Sequence, residues 1–187
     1  MAYVLFVSEE KLKDSTAINM NVSVDLILPY ILQSQKLYCE PKLGTDLYKK
    51  LEAEITAGTL AGDYKTLIDE YISFMLVNYA FYHLIPFLRF KVENGNIYSK
   101  TSETGNALST EEAQHLRSEV LNTAEYYTER LISYLCANTS SFPEYSSNSD
   151  SDDISPDSNA YYSNMNLERP GGQGSKLTLQ DFLTYKI

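Results

Sequence analysis

The chain has 187 residues, 25 acidic side chains against 15 basic, a formal charge of −10, sixteen tyrosines, no tryptophan, two cysteines and two histidines. A single domain of this length buries roughly 70% of its unfolded surface when most of it packs. A net acidic chain with no run of five basic residues excludes a sequence-reading grip on nucleic acid, because such binding draws its affinity from clustered Lys and Arg.

Cys39 and Cys136 lie far apart within apolar helical patterns, so both are expected to be small buried hydrophobes in a reducing compartment rather than a disulfide pair. The opening run Met1-Ala2-Tyr3-Val4-Leu5-Phe6-Val7 has no positive n-region, and synthesis inside the cell is expected. An extended segment there is followed by Ser8, which can cap a brief helix through Asp14, with Glu9 and Glu10 placed against its N-terminal dipole. From Asp25, apolar residues at Leu26, Ile27, Tyr30, Ile31, Leu37 and Tyr38 recur at helical spacing. Pro29 is tolerable there in the first turn or so, and Pro41 with Gly44 ends the helix. The next helix starts at Gly44 or Thr45, buries Leu47, Leu51 and Ile55, and stops at Gly58.

Asp63 is the expected N-cap of a long helix running to about Ile85, where Pro86 terminates or kinks it. Within it, Tyr71 through Leu88 carries no formal charge and is long enough for a membrane span. Ser73, Asn78, His83, Pro86 and the tyrosines Tyr71, Tyr79 and Tyr82 argue instead for a helix apolar almost all round and surrounded by protein, with no membrane involved. Arg89 to Val92 and Asn96 to Tyr98 flank the turn pair Asn94-Gly95, the pattern of a small β-hairpin. Ser109 with Glu112 is a capping box, opening a helix with apolar or small residues at Ala113, Leu116, Val120, Ala124, Tyr127, Leu131 and Tyr134.

Composition shifts after Ala137. Between Ser140 and Arg169 stand nine serines, six acidic residues and one basic residue, too little apolar surface to offset the entropy of ordering. Leu177, Leu179, Phe182, Leu183, Tyr185 and Ile187 then restore apolar character, so the segment reads as a polar tether with a sticky tip that docks elsewhere. The expected organisation is a helical body over residues 1–140 and an extended Ser/Asp-rich arm over 141–187.

Catalytic and metal chemistry find no support in spacing. His83 and His115 fall on different helices and neither cysteine has a nearby second ligand, so no metal or cofactor is expected. The Gly171–Lys176 stretch lacks the strand, the Gly-Lys step and the long helix of a phosphate loop, and reads as a flexible joint. Asp69-Glu70 and Glu111-Glu112 point to different parts of a helix surface, and Glu111 and Glu112 are explained by capping. The sequons Asn21-Val22-Ser23 and Asn138-Thr139-Ser140 are chance matches in a chain without a leader. Tyr126, Tyr127, Tyr134, Tyr161 and Tyr162 lack the cationic groove of a base-stacking platform and suit subunit contacts, where the ring is buried and the hydroxyl stays hydrated.

The runs Ile31 to Lys50 (ILQSQKLYCEPKLGTDLYKK), Gly62 to Asp69 (GDYKTLID), Tyr79 to Phe87 (YAFYHLIPF) and Ala124 to Leu135 (AEYYTERLISYL) together resemble the helical head-tail connector proteins (adaptor or ring proteins) of tailed phages. The likeness is greatest to those of crAss-like and other Bacteroides phages, and covers roughly Tyr3 to Tyr145. It implies a mainly α-helical, non-enzymatic virion protein at the head-tail junction, made in the host cytoplasm and closing a ring of about twelve copies. Its implied partners are the portal and a second connector or tail protein, with DNA only as passing cargo.

The expectation is therefore a helical bundle of about four main helices with a small β-hairpin and an extended arm. Tyr71, Tyr79, Tyr82, Asn94, Gly95, Leu179, Phe182, Leu183 and Tyr185 are its candidate interface residues. Four helices are not expected to cover every face of the Tyr71–Leu88 helix, which leaves part of it for a neighbouring subunit. A small helical scaffold or regulatory domain unrelated to virions is the competing reading.

Overall fold

Residues 3–18, 20–93, 96–99, 109–147 and 154–157 are described in the computed structural model, and they are mainly helical. Helix α1 (Glu9–Ser15) opens at Ser8, whose hydroxyl accepts from the Lys11 N–H at 3.2 Å. Helix α2 (Val24–Ser34) runs without a break through a π-helical turn (Gln35–Cys39) into α3 (Glu40–Leu43). Helix α4 (Thr45–Ala57) then buries Leu47 and Leu51, with Ile55 half-buried at the core edge, and ends at the left-handed Gly58 as its sequence suggests. Helix α5 (Gly62–Thr66) passes through a second π-helical stretch (Leu67–Ile72) into α6 (Ser73–Arg89).

The prolines behave differently from expectation. Pro29 falls at the sixth position of α2 rather than in its first turn. Pro41 lies in the first turn of α3 and ends nothing. The π turn before it lets the Glu40 N–H donate to the Gln35 carbonyl, and a first-turn proline needs no amide hydrogen. Gly44, at φ +77°, is the residue that stops the helix. Pro86 sits inside α6, which continues to Arg89 because Leu84, Ile85 and Leu88 around it are held in apolar contact. Packing outweighs the one lost backbone bond. The N-cap of the long helix is Ala61, with Asp63 one residue inside it.

Strands β1 (Phe90–Glu93) and β2 (Asn96–Ser99) pair antiparallel, with Val92 opposite Ile97 and Glu93 opposite Asn96. The expected turn pair, Asn94 and Gly95, lies outside the described residues. Helix α7 (Thr110–Ala137) opens on the capping box, with Ser109 N–H to Glu112 Oε2 at 2.7 Å and Glu112 N–H to Ser109 Oγ at 3.1 Å. These bonds hold the Glu112 carboxyl below its usual range.

Helix α6 is the central rod. Tyr30 meets Phe87 and Tyr38 stacks on Tyr79 at 3.7 Å, so α2 runs antiparallel to it on one side. On the other side Tyr127 stacks on Phe74 and Tyr134 on Tyr71 at 4.0 Å, making α7 antiparallel as well. The first half of α6 shares the main core with α4, both π stretches and the second half of α7. Its second half shares a smaller core with α1 and α2 around Leu12, Ile27, Ile31, Ala80 and Leu84. No residue from Tyr71 to Pro86 is exposed, several being half-buried, so the part of the Tyr71–Leu88 stretch that the chain's own helices leave over is confined to its end, at Phe87. The stretch Gly62–Leu88 is long and apolar enough to cross a membrane by length and composition, and in this fold it is flanked by protein along both sides.

The body also extends further than residue 140. Phe142 is fully buried in the main core and Tyr145 joins it from a 3₁₀ turn (Pro143–Tyr145), while Tyr64 donates to Glu144 at 2.8 Å. Two aromatics within a polar stretch supply the apolar area that average composition conceals. Cys39 is buried, its thiol pushed up by burial and by Glu40. Cys136 departs from expectation and is exposed on the outer side of α7.

Gln35 ties the core to the N-terminal segment. Its Oε1 accepts from the Phe6 N–H at 3.0 Å, and its Nε2 donates to the Val4 carbonyl at 2.9 Å and to Tyr48 Oη at 2.8 Å. Replacing it in Gln35→Leu leaves these groups without partners in a buried place, a cost of about 2–4 kcal/mol. Thermal unfolding of this variant is expected to fall by roughly 10 °C. An unchanged melting temperature would show that the amide holds nothing.

Candidate functional site

Three surfaces stand out from the fold. The first is the end of the α6–α7 pair that carries the strands. Arg117 lies over the Tyr82 ring, its guanidinium carbon 4.1 Å from the centroid, and Tyr82 meets His83 edge-on. His83 Nε2 is 2.9 Å from Tyr38 Oη, so this half-buried histidine is hydrogen-bonded within the chain. Burial and the Arg117 charge push its pKa down, so the ring is neutral near pH 7 and its Nε2 can accept from the tyrosine. Past this point cover thins out. Phe87 and Leu116 are 42% and 41% exposed, and Arg117 Nε, out of solvent, has no hydrogen-bond acceptor among the described residues. Leu116 was expected in the buried stripe of α7, but that stripe is in the core only from Ala124 onward.

The second surface is the outer side of α2. Leu28, Pro29 and Leu32, with Tyr3 and Leu5 from the opening segment and Asp25 at one end, line an open groove of about 490 Å³. Sequence reasoning followed one stripe of α2 and missed this one. Its signal was present, since Val24 to Leu32 is apolar at every position but Asp25, more than one buried face requires.

The third is the corner at Gly44. Residues 154–157 lie across it. The Thr45 N–H donates to the Ile154 carbonyl at 3.0 Å, the Ile154 N–H donates to Thr45 Oγ1 at 2.8 Å, and the Asp157 N–H donates to the Pro41 carbonyl at 2.8 Å. The Lys42 ammonium, 9% exposed, reaches the Asp157 carboxylate at 2.8 Å. A Cβ on Gly44 would come within 2.7 Å of the Pro156 ring, so glycine is needed there for its φ and for the space.

Among the expected interface residues, Tyr79 is 2% exposed and donates to or accepts from Thr128 at 3.2 Å. It is a core residue with no surface to offer. Tyr71 is half-buried between Tyr134 and Arg130, and half-buried Tyr82 belongs to the first surface. Asn94, Gly95, Leu179, Phe182, Leu183 and Tyr185 lie outside the described residues. No cluster of three or more His, Cys, Asp or Glu suited to a metal occurs among the described residues, and His115 lies exposed on α7, 3.9 Å from Glu119.

The chain belongs to a family of unknown function (DUF6712), which matches residues 39–154, more than half of its length. The matched stretch runs from the π turn to Ile154, and so takes in both the late core residues Phe142 and Tyr145 and the start of the strap at Gly44. Neither the curated proteins nor the solved structures contain a match.

Two outcomes are expected from this geometry. Gly44→Ala is strained at φ +77° and ψ 160°, a region essentially reserved for glycine, by about 1–3 kcal/mol, and displaces the strap, so amide exchange at Ile154 and Asp157 accelerates while that in α6 does not. Exchange unchanged at those two amides would contradict the strap. Because the pKa of His83 is lower in the folded chain than unfolded, its contribution to stability is complete above about pH 6.5 and is lost as pH falls through the folded value. His83→Gln should therefore flatten the fall in melting temperature on acidification, and an identical pH profile for both proteins would refute this.

Proposed function

We propose that the chain is a structural virion subunit: a head-tail connector that closes an oligomeric ring, joins the portal to the tail and continues the DNA channel. The observation that carries this reading is the strand-bearing end of α6 and α7. There Phe87 and Leu116 stand exposed near the Arg117 guanidinium that lies over the Tyr82 ring, an end suited to the complementary face of the next copy in a heterologous ring. The β-hairpin around Asn94-Gly95 would extend the same end. The likeness-bearing runs support the reading further, because they fall on framework elements: the π turn with the Gly44 corner, the start and the last third of the long helix, and the buried half of α7.

In this mechanism the helices form the wall, the projecting end seals each subunit to its neighbour, and the arm beyond Asp157 engages the ring above or below. The charge of −10 suits a channel that DNA must pass through without adhering.

Native mass spectrometry and electron microscopy of the protein mixed with portal are expected to show rings. Phe87→Asp with Leu116→Asp should abolish ring closure while leaving the helical circular dichroism of the monomer unchanged. A protein that stays monomeric with portal present, or a double variant that closes rings normally, ends this reading.

A further inference from the structure

The groove on α2 has an occupant within reach. We propose that it is the docking site for this chain's own segment Leu177–Ile187, stowed there in the free subunit. The groove is apolar, and its 490 Å³ lies in the range of about 300–1,000 Å³ that takes a compact ligand or a few side chains. The segment offers Leu179, Phe182, Leu183 and Ile187, spaced i, i+3, i+4 and i+8, the spacing of anchors for a helix-binding groove. As one helical face they would span about 12 Å, against about 10 Å for the stretch of α2 from Asp25 to Leu32. Charge agrees as well. Lys176 precedes the anchors and Lys186 lies among them, against the single acid Asp181, and Asp25 is the one charged residue lining the groove among the described residues.

The strap makes the same chain the favoured source. It fixes Asp157 at Pro41 and Lys42, the far end of the same continuous helix whose first half forms the groove. Leu28 and Pro41 are separated by about 20 Å along that helix. The nineteen residues 158–176, rich in serine, asparagine and glycine, span about 24 Å on average as a flexible chain. Tether length and distance match, and a tethered segment then meets its site at an effective concentration on the order of mM. Even a weak apolar contact is occupied under those conditions. The proposal concerns the free subunit and stands or falls independently of ring formation.

The test uses the full chain at submicromolar concentration, with the photo-crosslinking amino acid p-benzoylphenylalanine in place of Phe182 and isotopically labelled and unlabelled copies mixed. Crosslinks are expected within single copies, to peptides containing Tyr3–Leu5 or Leu28–Leu32, with a yield reduced at least fivefold in Leu28→Asp/Leu32→Asp. Crosslinks to another surface, crosslinks between labelled and unlabelled copies, or an unreduced yield would each overturn the proposal. Because that double variant alters a structural helix, Phe182→Asp/Leu183→Asp provides a second measurement outside the helical body. Amide exchange across residues 24–32 should rise severalfold in it, and unchanged exchange there counts against the docking.

Discussion

One buried amide organises the core. Gln35 is the first residue of the π turn, and its side chain satisfies three groups from two other parts of the chain: the Val4 carbonyl and Phe6 N–H of the opening segment, and the Tyr48 hydroxyl of α4. A buried polar group is tolerated only when its hydrogen-bonding capacity is used, and both Nε2 hydrogens and the Oε1 are used here. The consequence is positional. The opening segment lies beside α2, Phe6 is set against the Tyr48 ring at 5.1 Å, and the wall of the α2 groove formed by Tyr3 and Leu5 is fixed with it. Burial meanwhile pushes the Tyr48 hydroxyl well above its usual range, so it stays protonated.

The π turn itself solves a second problem. A continuous helix from Val24 to Leu43 contains prolines at 29 and 41, and a regular ladder through both would lose two backbone bonds. The wider turn between them shifts the helix face by a fraction of a turn, which directs Cys39 and Leu43 into the main core while Ile27 and Ile31 point into the smaller one. The long helix also serves both cores, with Leu67, Ile68, Ile72 and the α6 residues as far as Tyr79 in the main core and Ala80 and Leu84 in the other. Two cores are thus served by two helices that each carry one irregular turn.

Much of this was legible from residue order. The long helix, the capping box at Ser109, the stop at Gly58 and the buried stripe of α4 all follow from local rules. What was not legible is instructive. Pro86 is read as a stop or kink because propensity is local, whereas α6 continues through it to Arg89 on the strength of the buried Ile85 and the apolar contacts of Leu84 and Leu88. Phe142 and Tyr145 are hidden by averaging over a serine-rich window, though two large aromatics suffice to hold a 3₁₀ turn in the core. Tyr79 looks like a surface tyrosine until Thr128 supplies the polar partner that permits its burial. The part of the Tyr71–Leu88 stretch left over is smaller than four helices would lead one to expect, being confined to the end at Phe87, because the short helix α1 also packs on α6.

The location of spare apolar surface follows from that cover. With α6 enclosed, the surface available for partners moves to the two places where a helix outruns its neighbours: the first turns of α7 with the end of α6, and the outer stripe of α2. They are different in kind. The α7 end pairs exposed apolar side chains with a cation and a β ladder, a mixed surface of the sort that meets another folded protein. The α2 stripe is a concave apolar groove with one carboxylate, of the sort that takes a few side chains from a short segment. The strap at Gly44 fixes the position of residues 154–157 on the body. It binds through four polar contacts with a nearly buried lysine at one end, so the segment beyond Asp157 starts from a defined point. Under the docking proposal, a flexible chain of nineteen residues rooted there reaches about 24 Å, enough for the groove about 20 Å away along the same helix.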